Sequence, residues 1–63
     1  MGTLKIPVYV AKELTIEGKS IIERFNTLKG EYIEMPNEVY PNLEIAKERA
    51  RELNKDVEPI IIQ

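Results

Sequence analysis

The chain has 63 residues, enough for one small domain, with 11 acidic and 9 basic side chains for a net charge of −2. It contains no cysteine and no histidine. That excludes disulfides, zinc sites built from those ligands, and acid–base or nucleophilic mechanisms that need an imidazole. A chain this short buries only about 60% of its unfolded surface, so self-association is the expected extra source of stability.

The charge has the wrong sign for a protein held to DNA mainly by phosphate neutralisation. No apolar run approaches membrane-spanning length and no signal peptide is present, so a cytoplasmic protein without a membrane role is expected.

Residues 4–16 alternate over an unusual length. Leu4, Ile6, Val8, Val10, Leu14 and Ile16 are apolar at even positions, and Lys5, Glu13 and Thr15 are polar between them. The pattern predicts a half-buried strand, or two strands with a bend. Pro7 cannot donate a ladder hydrogen bond, which places an edge or a bulge near it. A tight turn is expected at Glu17-Gly18. Gly18-Lys19-Ser20 has the form of the end of a phosphate-binding loop. The first glycine of that motif falls at Glu13, so no nucleotide site is expected.

Residues 19–28 carry two competing patterns. Ser20 and Glu23 form a capping box, Ile21, Ile22, Phe25 and Leu28 share a helical face, and Gly30 could close the helix. Register favours a strand. A two-residue turn at 17–18 sets Leu14 opposite Ile21, Lys12 opposite Glu23 and Val10 opposite Phe25, so Lys12 meets an opposite charge. A three-residue loop at Leu28-Lys29-Gly30 puts glycine where positive φ is needed, with Phe25 facing Ile33 and Arg24 facing Glu34.

Residues 31–35 form the third strand, with Ile33 and Met35 inward. Pro36-Asn37 ends it and opens a loop to residue 41. Residues 42–54 form the clearest helix. Asn42 is its N-cap and Asn54 its end, where asparagine tolerates a left-handed closure. Leu43, Ala46, Ala50 and Leu53 fall within a sector of about 80°. Glu44, Glu48 and Glu52 form one outer stripe, and Lys47, Arg51 and Lys55 the next, which reads as a solvated face. Val57–Ile62 is the last strand, with Pro59 placing its start at an edge.

The expected fold is therefore α+β: a three-stranded antiparallel meander, one helix on one face, and a C-terminal strand parallel to the first. This is β-β-β-α-β in the order 4-1-2-3. The runner-up is β-α-β-α-β. In the meander one sheet face packs on the helix and the other stays uncovered. The uncovered face is expected to carry Tyr9, Ala11, Glu13, Ile22, Arg24, Asn26, Tyr32 and Glu34.

No catalytic, cofactor-binding or metal-binding residues are expected, because a single sheet with one helix rarely encloses the cleft that perturbs a carboxylate. The expected function is a non-enzymatic protein-interaction module, self-associating as a homodimer, that binds through the uncovered face or an edge strand. Tyr9, Ile22, Arg24, Asn26 and Tyr32 are its candidate partner-binding residues. The alternative is a weak single-stranded nucleic-acid binder that stacks bases on Tyr9 and Tyr32. The acidic balance counts against it.

Overall fold

The computed structural model describes residues 2–14 and 18–62. Within them the chain folds as α+β with β1 (Leu4–Ile6), β2 (Tyr9–Glu13), β3 (Ser20–Asn26), β4 (Glu31–Tyr40), α1 (Leu43–Asn54) and β5 (Ile60–Ile62). Strands β2, β3 and β4 form the antiparallel meander, in that order. Strands β1 and β5 form a separate two-stranded antiparallel ribbon. Residues 20–26 are strand, so the two-helix alternative is set aside.

The ribbon corrects the expected strand order. The final strand is antiparallel to β1, and it lies outside the meander rather than parallel within it. The cause is Pro7. The long alternation of residues 4–16 breaks there, and the meander pairing resumes at Val8, whose carbonyl accepts from the Phe25 N–H at 2.8 Å. The right-handed parallel crossover governs strands of one sheet. Once β1 leaves that sheet, the rule has no hold on β5. The ribbon register pairs Leu4 with Ile62, Lys5 with Ile61 and Ile6 with Ile60. One step further sets Pro7 against Pro59. Neither can donate to a ladder, so pairing stops.

Both hairpin registers differ from expectation. In the first, Lys12 pairs with Ile21 and Val10 with Glu23, a slip of two residues that preserves the facing. The Leu14 N–H donates to the Lys19 carbonyl at 2.8 Å, so the loop is longer than two residues. Gly18 in it has φ 66°. Glu17, the other residue of the expected turn, lies outside the described residues, as do Thr15 and Ile16 of the expected strand.

In the second hairpin, Phe25 pairs with Tyr32 and Arg24 with Ile33, a slip of one. Asn26 causes it. Its Oδ1 accepts from the backbone N–H groups of Leu28 (2.9 Å) and Lys29 (3.1 Å), which winds residues 27–30 into a four-residue loop. Gly30 has the expected positive φ, 70°. A slip of one residue exchanges the faces of β4. The strand also runs through Pro36 to Tyr40. The register jumps between Ile22, paired with Met35, and Ile21, paired with Val39. An edge strand tolerates a proline at such a bulge.

Helix α1 keeps its expected stripe. Ala46 and Ala50 are buried, with Leu53 packed beside them. Asn42 Oδ1 caps the first turn, accepting from the Ile45 N–H at 2.9 Å. The end differs, because Lys55 remains right-handed (φ −60°, ψ −35°).

The helix covers the face that was expected to be open. Its alanines close on Ile22, with Tyr9, Ala11, Met35 and Tyr40 around them. Two physical reasons select this face. Ala11 lets the helix approach β2 closely against Ala46 and Ala50. The opposite face carries Lys12 within 3.8 Å of Glu23 and 3.5 Å of Glu34. Burying those charges costs several kcal/mol per ion.

Candidate functional site

The five residues singled out from the sequence do not form one surface. Ile22 is fully buried under the helix and is a core residue. Tyr9 is half-buried against the same cluster. Arg24 is exposed in the cross-strand row with Tyr9 and Ile33, and Asn26 spends its side chain on the hairpin turn. Tyr32 points to the opposite face. It meets Phe25 edge-on, with ring centroids 5.2 Å apart and planes at 76°. Its hydroxyl donates to the Pro7 carbonyl at 2.6 Å. Burial, then the Glu23 carboxylate, raises its phenol pKa. The expected row of Tyr9, Asn26 and Tyr32 is undone by the one-residue slip, and no two-tyrosine stacking platform results.

The helix end grips the free edge of β2. Asn54 Oδ1 accepts from the Tyr9 N–H at 3.0 Å, and Asn54 Nδ2 donates to the Tyr9 carbonyl at 2.9 Å. A side-chain amide thus stands in for a strand partner at Tyr9, at the start of that edge.

A second cluster joins β4 to α1. Glu38 Oε1 accepts from the Tyr40 hydroxyl at 2.5 Å and from Arg49 Nε at 3.1 Å. The Tyr40 bond, then Arg49, holds the Glu38 carboxyl below its ordinary range despite its partial burial. The same bonds raise the pKa of Tyr40 and of Arg49. A carboxylate held ionised by two donors is a weak base, and this cluster reads as a fastening between β4 and α1.

Two surfaces remain open. At the β3–β4 hairpin, Arg24, Phe25, Asn26, Ile33 and Met35 line a shallow depression, with Leu28 almost fully exposed beside it. Beyond Pro7, on the same side of the meander as that hairpin, stands the β1–β5 ribbon, whose strands contact no other helix or strand. Leu4 is 60% exposed, Ile61 57% and Ile62 40%. Ile6 and Ile60, at its base, are half-buried. The sequence does hold a signal for this ribbon. An apolar triplet lies immediately outside a proline at each end, Leu4-Lys5-Ile6 before Pro7 and Ile60-Ile61-Ile62 after Pro59.

Among the described residues no group of three or more acidic side chains is arranged to hold a metal ion, and no helix is long and apolar enough to cross a membrane. No protein-family model, curated protein or solved structure matches the chain.

Proposed function

We propose that the chain is a non-enzymatic protein-interaction module that works as a self-associated unit. The observation that carries this reading is its surface. The accessible area is 4970 Å². A compact monomer of 7.3 kDa exposes about 4200 Å². The excess, about 800 Å², is exposed surface beyond that of a compact monomer, which association can cover. The shape agrees. The radius of gyration is 12.4 Å, with extents of 41 × 22 × 20 Å, against about 10.6 Å for a compact chain of this length.

Two further features support interaction over catalysis. The Glu38 cluster is tied up in structural bonds, and the hairpin depression is shallow and open to solvent. Light scattering on the untagged chain tests the reading. The expected mass is about twice 7.3 kDa at micromolar concentration. A constant monomer mass up to several hundred micromolar would retire self-association.

A further inference from the structure

We infer that the outer edge of β4, over residues 31–35, takes an added strand from a partner protein whose segment alternates basic and apolar side chains. This goes beyond the self-association proposed above and does not depend on it. The ladder fixes which backbone groups are open. The Phe25 N–H turns to β2, where the Val8 carbonyl accepts it at 2.8 Å. Main-chain groups alternate sides along a strand, so Phe25 shares no ladder bond with Tyr32, its partner on β4. Tyr32 and Glu34 therefore aim their N–H and C=O groups away from β3, and β4 is the terminal strand of the meander. Pro36 stands at the next such position and has no N–H, which sets the length of the open edge.

The side chains leave this edge clear. Tyr32 leans back across the sheet, with its hydroxyl on the Pro7 carbonyl at 2.6 Å and its ring against Phe25. Glu34 reaches inward to Lys12 at 3.5 Å. The other edge of the meander is occupied at Tyr9 by the Asn54 amide.

Charge selects the occupant. Glu23 and Glu34 stand directly opposite each other, an arrangement that destabilises like charges. One ammonium, that of Lys12, serves both, at 3.8 and 3.5 Å. Glu34 is the outer carboxylate, with its side chain 49% exposed. A Lys or Arg of an added strand, directly opposite Glu34, supplies a second cation. Strand β4 itself carries Glu31, Glu34 and Glu38 and no basic residue, so the same edge of a second copy does not supply it. The opposite face asks for apolar side chains. Ile33 and Met35 lie there, beside the hairpin depression and Leu28. Antiparallel pairing, the more stable form per residue, then sets basic residues opposite Tyr32 and Glu34 and an apolar one opposite Ile33. Main-chain bonds hold such a strand, and its alternate side chains decide which segment fits.

The probe is a short, capped, fluorescent peptide that alternates valine and lysine, titrated with the full chain and read by anisotropy. Saturable binding is expected, and a peptide with glutamate in place of lysine should not bind. N-methylation of the lysine backbone nitrogens should abolish binding, because those N–H groups face β4. N-methylation of the valines, whose N–H groups face solvent, should leave it. Glu34→Lys should weaken binding by about tenfold. Glu48→Lys, an equal charge change on the solvated face of α1, should alter it by less than about threefold. Circular dichroism checks that both variants keep the fold.

Equal binding of the two methylated peptides, or equal weakening by Glu34→Lys and Glu48→Lys, would overturn strand addition. No binding up to about 500 μM would also overturn it, and would leave the β4 carboxylates as guards against edge pairing. Light scattering on the same mixtures separates this inference from self-association. A mass that falls as peptide is added would seat a second copy at this edge and overturn the foreign partner. A monomeric chain that binds the peptide would retire self-association and leave the inference standing.

Discussion

Replacing Asn54 by alanine tests how the helix is fastened to the sheet. The wild-type amide makes two hydrogen bonds to the Tyr9 backbone, at 3.0 and 2.9 Å, across 45 residues of sequence. Each such bond contributes about 0.5–1.5 kcal/mol net, so the loss is about 1–3 kcal/mol. A domain of this length has about 3–9 kcal/mol of total stability. With about 4–8 °C of midpoint per kcal/mol in so small a domain, a loss of about 2 kcal/mol lowers the midpoint by about 8–16 °C.

The assay is thermal and urea unfolding followed by circular dichroism. Protein concentration is held fixed, because association adds to apparent stability. Asn54→Asp sharpens the test. It keeps an acceptor for the Tyr9 N–H but turns a second acceptor on the Tyr9 carbonyl, so at neutral pH it should be no better than alanine. An alanine variant within about 0.5 kcal/mol of wild type, or an aspartate variant equal to wild type, would show that the clasp holds nothing.

Two further outcomes follow from the core and the Glu38 cluster. Ile22→Ala empties the only large apolar side chain that is fully buried among the described residues. It should cost about 2–5 kcal/mol, a large fraction of the total stability, read by urea titration. Glu38 has a folded pKa below its ordinary value of 4.5, through Tyr40 first and Arg49 after it. Its contribution is therefore present above that ordinary value and is lost as pH falls through the lowered one. Glu38→Gln should flatten this part of the stability–pH curve, and parallel acid limbs for variant and wild type would contradict the assignment.

The helix was legible because its signals are local: a capping side chain at Asn42, a small-residue stripe at Ala46 and Ala50, and strong formers between them. The strand character of residues 20–26 was legible through pairing, although both registers shifted. Register depends on loop length, and loop length here is set by side-chain bonds. Asn26 binding two N–H groups lengthens the second hairpin by one residue. That single residue exchanged the faces of β4 and scattered the expected tyrosine row.

The choice of helix-bearing face was hidden for a different reason. Both faces of β2 and β3 carry apolar side chains, so alternation does not separate them. What separates them is the cost of burying Lys12, Glu23 and Glu34, set against the close approach that Ala11 permits. The ribbon was half legible. Pro7 marks the bend and Pro59 the edge, but their pairing joins residues more than 50 positions apart, beyond any local pattern.

Sedimentation equilibrium across a wide range of protein concentration tests most directly that copies of the chain associate. Self-association predicts a mass that rises towards twice 7.3 kDa in the micromolar range. A mass that stays at 7.3 kDa up to several hundred micromolar would contradict it.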